Sequence, residues 1–580
     1  MVAWLAPGAL AKAGLEVFVS GVFSRFFDKR ELQGGLPGYG DDLVQDEGEG
    51  EPPMPPYSDP RYRDEKGAFW FDYAADVGEG FDSTYTVAWL LSRRSLELGV
   101  EGEQHLTKRG RVLILGGDQV YPGASWEGYA ERFAGPYRAA LPHLPPDEVP
   151  HLYAIPGNHD WYDGLTSFMR LFAQGGWIGA WKTRQRRSYF ALPLSEKWWL
   201  WGVDTQFDAY LDGPQLEYFR KASVNLRPGQ RVILATPKPS WIRAKLATGP
   251  EVNKEGSWAT LSFIEEKLIA STGAEVAVTL SGDRHHYAHY ARASGDGPSH
   301  RLTAGGGGAH TMGTQGLPAS IKPPPIDPLK EPGRYELGAT SPTVEESEEM
   351  RDRGLIRAVM RGKGLGVLIG VMYALIALAV ADGVKDQATG LTSPPDGFAL
   401  PGVLFDAGTQ WSIGAVLLLF AGMWSFTKVK DPRQRFPVAL RHWLEHMLLA
   451  LIAPFTLILI LDETGIAEEG LAVGWIAAAA AFAIGFWLGR LAFASYLMRV
   501  NRAGPRRHGG EIYGALASTE HKNFLRMKID ADERLTIYPV GIRRSVEWRF
   551  EPEGGTDDPW FVPKGEKPEP RLIEPPIVVD

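Results

Sequence analysis

Short apolar runs closed by glycine, aspartate or proline alternate with stretches of helical spacing through the first half of the chain. The run Val112-Leu-Ile-Leu115 passes into Gly116-Gly-Asp118, and four apolar residues bounded by turn formers predict a buried strand. The same pattern occurs at 69–74, which leads to Asp76 and a Gly-punctuated turn, and at 150–155, which leads to Gly157-Asn-His-Asp160. Further strands are predicted at 189–193, 198–204, 231–236 and 276–281, with helices at 84–98, 126–140, 214–222 and 258–271. Such alternation predicts a layered α/β domain over 61–316. Its chemistry belongs in the loops at the strand ends.

The pattern changes after residue 316. A Pro-rich and then acidic stretch, 317–360, is expected to be a flexible linker. Four apolar stretches follow within 361–500, at 364–381, 411–426, 446–461 and 471–489, each near the roughly 20 residues that cross a bilayer. Arg and Lys concentrate before the first, between the second and third, and after the fourth. The other two loops carry Lys385 alone against Asp382, Asp386, Asp396 and Asp406, and no base against Asp462, Glu463, Glu468 and Glu469. The positive-inside rule then predicts a multi-pass inner (plasma) membrane protein with both termini and the α/β domain cytoplasmic. Alternation at 524–530, 535–542 and 546–550 predicts a small β module within 501–580, or strands added to the α/β domain. Within 1–60, the run 2–27 reads as an amphipathic helix, on a membrane or packed against the domain, and 34–60 as a linker.

Length and charge narrow the function. A chain of 580 residues needs several cores. Its net charge of -9 argues against nucleic-acid binding. With no cysteine, any metal must rest on Asp, Asn, His or Tyr.

The strand ends offer that set: Asp76, Asp118 with Tyr121, Asn158 with His159 and Asp160, and Ser281-Gly-Asp-Arg-His-His-Tyr287. Oxygen and imidazole donors on separate loops suit two cations about 3.5–4 Å apart, a pair that activates water and clamps a phosphoryl group. Each residue alone could simply cap a turn.

Over roughly 69–310 these motifs resemble the calcineurin-like metallophosphoesterases. The matching pieces are Asp76-Val-Gly78, Gly117-Asp118, Gly157-Asn-His-Asp160, Thr236-Pro-Lys-Pro239 and Gly282-Asp-Arg-His285. The third is specific and the others are individually weak. Gly78 in place of histidine, with Tyr121 three residues after Asp118, is similar to the purple acid phosphatase variant of the family. The resemblance implies a β-sandwich flanked by helices, with Asp76, Asp118, Tyr121 and His285 completing a first metal site where a phenolate favours trivalent iron. It implies a second site on Asp118, Asn158 and Asp283, short of one ligand because Pro237 stands where the family has histidine. His286, His289 or water could fill the gap. His159 would be the catalytic histidine, oriented by Asp160. Lys238, Arg284 and His310 are secondary candidates for metal or substrate contact.

The expectation is a membrane-anchored phosphoesterase with two divalent or mixed-valence ions of Fe, Mn or Zn, acting on a phosphomonoester or phosphodiester, free or lipid-linked, through a metal-bridging hydroxide. The alternative is a membrane scaffold or sensor whose phosphoesterase domain binds ligand but turns over poorly.

Overall fold

The computed structural model describes residues 57–205, 210–246, 256–327, 329–389, 410–429, 431–463, 470–504, 507–551, 555 and 557–580, with a few of the first eight. The expected helix at 2–27, the linker at 34–56 and the acidic loops at 390–409 and 464–469 lie outside these residues. The chain divides into two compact units, one of 1–2, 12–347 and 517–580, the other of 3–11 and 348–516.

The first unit is mixed α/β. In its larger sheet Phe69–Ala74, Val112–Leu115, His151–Ala154 and Trp181–Thr183 run parallel. In the second, Trp198–Gly202, Arg231–Thr236, Glu275–Ser281 and His300–Ala304 do the same. Parallel strands buried on both faces read as continuous apolar runs, which is why WWLWG and RVILAT are buried almost throughout. Phe71, Tyr73 and Ile114 of one sheet share a core with Leu200, Ile233 and Leu280 of the other. Helices cover the outer faces. Phe81–Leu91 and Gly135–Ala140 pack on the first sheet, and Gly213–Asn225 with Gly256–Phe263 on the second.

One open choice is decided and two expectations are corrected here. The long C-terminal strands take the second of the two expected forms, strands added to the α/β unit. Glu520–Ile529 pairs antiparallel with Phe69–Ala74, and Leu535–Arg544 pairs with it in turn. They cover what would otherwise be an exposed sheet edge. A buried ion pair fastens the join, with Arg526 Nε 2.8 Å from Asp72 Oδ1. The stretch after 316 is not the expected flexible linker. Arg334–Ser341 pairs with Tyr287–Ser294, and the acidic run opens the helix Val344–Arg361. Buried Tyr335, against the guanidinium of Arg301, ties it down. Finally, helical spacing at 84–98 ends at Leu91, and Ser95–Val100 turns into a hairpin with Glu103–Lys108.

The second unit is helical. All four apolar stretches fall in helices: Lys363–Thr389, Gln410–Phe426, Pro432–Glu463 and Gly470–Ile484, the last continuing through Gly485–Gly489 into Arg490–Ala503. Among the described residues only two helices, not the expected four, are long and apolar enough to cross a membrane: Lys363–Val380 and Gly474–Ala503. Gln410–Phe426 has 17 residues, and Pro432–Glu463 carries Arg433, Arg435, Arg441 and Glu445 along its first half. Glycines let two helices meet closely, since a Cβ on Gly485 would lie 2.8 Å from the Cα of Gly370.

Candidate functional site

Asp76, Asp118 and Asp283 each sit just beyond the end of a parallel strand, and all three adopt positive φ, at 59°, 53° and 66°. A left-handed aspartate costs about 1–3 kcal/mol and persists only where its surroundings over-determine it. The surroundings here are glycine. A Cβ on Gly157 would come within 2.0 Å of Asp118 Oδ1, and one on Gly305 within 2.5 Å of Asp76 Oδ2. The Gly305–Gly308 run is thus packed against the Asp76 loop rather than being a free turn.

The loops converge on the Tyr121 hydroxyl. It donates to Asp76 Oδ1 at 2.8 Å, and Asp118 Oδ2 and His285 Nε2 lie 3.3 and 3.0 Å from it. His285 Nδ1 is 2.8 Å from the His310 carbonyl. A carbonyl only accepts, so Nδ1 carries the proton and the Nε2 lone pair faces the cluster. Burial pushes the Asp76 and Asp118 carboxyls well above the usual range, and their proximity to each other raises Asp118 further. Burial and both carboxylates push the Tyr121 phenol up, and burial holds His285 down at about 4. Among the described residues no lysine or arginine pairs with Asp76 or Asp118.

His159 is placed at the cluster. Its backbone N–H donates to Asp118 Oδ1 at 2.8 Å, and its ring centre is 4.4 Å from that of Tyr121. The Pro122 carbonyl, 2.5 Å from Nδ1, orients the ring. Asp160 does not take the expected orienting role. Its buried carboxylate accepts from the backbone N–H of Gly157 and Gln119 and from the Tyr129 hydroxyl, so it holds the loop's shape.

The second donor set is less complete. Asp283 donates its backbone N–H to Asp76 Oδ2 at 3.0 Å, while its carboxylate lies 3.4 Å from Arg284 Nε. Asn158 directs its amide to the Tyr162 hydroxyl at 3.1 Å. Pro237 packs toward Gly117, with half-buried Lys238 beside it. His286 is buried next to His285, and neither ring nitrogen has a partner among the described residues.

Behind His285 lies a layer that the sequence reading missed. Glu79 Oε2 accepts from the backbone N–H of His310 at 2.6 Å and lies 3.0 Å from its Nδ1. Burial works against the charge on Glu79, but His310 outweighs it and keeps the carboxyl well below its ordinary value. Lys522, fully buried, donates to the Ala309 carbonyl and to Thr311 Oγ1 at 3.0 Å. Burial lowers it to about 7. Lys522 lies outside the strand expected at 524–530, so nothing in the sequence pointed to it.

Two buried carboxylates, a phenol and an imidazole with an inward lone pair and a carbonyl behind it form a donor set that fits a hard or borderline cation. By donor type the first site suits such an ion, while the second has only Asn158, Asp283 and His286 to offer beside Asp118. Among the described residues no three His, Cys, Asp or Glu stand grouped as a metal would require. The Tyr121 oxygen occupies the centre instead. Compared with protein-family models and with curated proteins, the chain matches none.

Proposed function

We propose that the α/β unit is a metal-dependent phosphoesterase, of the tyrosine-containing metallophosphoesterase type, that hydrolyses a phosphomonoester or phosphodiester. The observation that carries this reading is the convergence of Asp76, Asp118 and His285 on the Tyr121 hydroxyl at the ends of three strands, with both carboxyls buried and, among the described residues, in no salt bridge with lysine or arginine. Those four side chains would hold the first cation, and Asp118, Asn158, Asp283 and His286 are the donors for a second of the Fe, Mn or Zn class. Bound cations would supply Lewis acidity toward the phosphoryl oxygens and an activated water.

The chain's own groups do the rest. His159, with Nδ1–H held by the Pro122 carbonyl, presents Nε2 to move a proton at the ester's leaving oxygen. Arg284, now 3.4 Å from the Asp283 carboxylate, is the cation proposed to turn to a phosphate oxygen. The glycine-packed aspartate loops keep the donors from relaxing apart.

The helical unit is proposed to hold the enzyme in a membrane, with the basic loops and the α/β unit on the cytoplasmic side. Support comes from outward-facing apolar side chains on its helices, among them Leu375, Leu417, Leu448, Trp475 and Trp487, each 55–67% exposed. Water would penalise such a surface and lipid would not. The carboxylate of Asp283 on Arg284 and the amide of Asn158 on Tyr162 favour the scaffold or sensor reading instead. Hydrolysis of an aryl phosphate and an aryl phosphodiester by the metal-loaded full chain separates the two. Turnover of either ester that is lost in His159→Ala supports the enzyme. Metal binding without turnover supports the sensor.

A further inference from the structure

The helical unit buries a row of histidines that the phosphoesterase reading does not use. His442 and His446 stand four residues apart on Pro432–Glu463, so they share one face of that helix. They are 2% and 3% exposed. Both ring nitrogens of His442 and Nε2 of His446 have no partner among the described residues. Three buried ring nitrogens left without a hydrogen bond, side by side in an apolar bundle, call for a ligand.

We propose that His442 and His446 form a second metal site, for a divalent ion of the zinc class. The two ring centres lie 4.9 Å apart at 68°. Two imidazoles on a tetrahedral ion, each nitrogen about 2 Å from it, stand with ring centres roughly 5 Å apart. The outer contacts match that role. Tyr373 on Lys363–Thr389 places its hydroxyl 2.7 Å from His446 Nδ1. With Nδ1–H donating to that oxygen, Nε2 is left as a free lone pair, the arrangement that orients histidine ligands. Tyr496 stacks on His442 at 3.8 Å and 5°, fixing its ring plane. Tyr496 is itself held by His508 Nε2 at 3.0 Å.

The chemistry also selects the ion. Glu445, the nearest acid in sequence, is taken up by Arg441 and Arg499. Two neutral imidazoles without a carboxylate suit zinc, copper or nickel rather than calcium or magnesium. Among the described residues no third His, Asp or Glu joins them, so the remaining positions are open to water and the ion exchanges readily.

The test uses the full chain in detergent, stripped with a chelator and carrying Asp118→Ala and His285→Ala, so that only the helical site is counted. Zn2+ is titrated by calorimetry. Cu2+ is added separately, and its paramagnetic resonance spectrum reports nitrogen ligands without any change to the helical unit. One equivalent of Zn2+ and coupling to two imidazole nitrogens are expected. His442→Gln and His446→Gln should each weaken Zn2+ binding at least tenfold, and Tyr373→Phe by about tenfold. No Zn2+ bound by the background protein, or equal affinity in all variants with no nitrogen coupling, would overturn the proposal.

Discussion

Asp72 and Asp76 are four residues apart on one chain segment, both buried, and they answer the cost of burial in opposite ways. Asp72 lies within its strand and accepts from Arg526 Nε at 2.8 Å, Arg526 Nη2 at 3.2 Å and the Gly110 N–H at 3.1 Å. Its charge is met by a guanidinium from the C-terminal strand. Asp76 lies past the strand end at positive φ and accepts from Tyr121 and from the Asp283 N–H, both neutral donors. Burial therefore pushes its carboxyl up. A buried acid matched within the fold is a joint between strands. One held unmatched in a costly backbone conformation is the kind of group we propose to hold a cation.

Four outcomes would break or sharpen this contrast. The largest concerns activity. Asp76→Ala and Asp118→Ala are expected to lower aryl phosphate hydrolysis at least a thousandfold, about 4 kcal/mol of transition-state stabilisation, while leaving the urea midpoint of the metal-free protein unchanged or raised. Arg526→Leu should do the reverse, costing about 3–5 kcal/mol by stranding Asp72. A urea titration reads that loss as a lower midpoint, and an unchanged midpoint would remove the structural role given to this pair.

Metal binding should distinguish the two acids again. Saturating cation at a thousand times its dissociation constant should stabilise the wild type by about 4 kcal/mol. The same addition should stabilise Asp118→Ala far less. Equal thermal shifts would place the bound ion elsewhere.

The shallowest effect, read per pH unit, is on pH dependence. Lys522 is lowered by burial from 10.5 to about 7. The unfolded chain keeps its proton up to the higher value, so between about pH 7 and 10.5 the unfolded state binds more protons and stability rises with pH. Below 7 both states are protonated and the full cost of the buried charge is present. The rise is at most about 1.4 kcal/mol per pH unit, and in metal-free protein Lys522→Met should abolish it.

Much of the site was legible because its residues are local to strand ends. Asp118 and Tyr121 are three residues apart, Asn158 through Asp160 are consecutive, and each follows an apolar run bounded by glycine. What escaped lies in pairings across hundreds of residues. Lys522 meets Ala309 and Arg526 meets Asp72 because the C-terminal strand joins the sheet at Phe69–Ala74, and nothing in either segment specifies its partner. Arg334–Ser341 was hidden by the prolines before it, though proline at a sheet edge does not exclude a following strand. Asp160 was misread for a different reason: adjacency in sequence suggested His159, but the carboxylate turns back to its own loop. The burial of His442 and His446 was not legible, because a run of mixed charged and apolar residues does not reveal which face of its helix is buried.

The most direct measurement is the metal content of the purified full chain by elemental analysis beside Asp118→Ala. The account predicts at least one more equivalent of Fe, Mn or Zn in the wild type than in the variant. Equal content in the two proteins would contradict it.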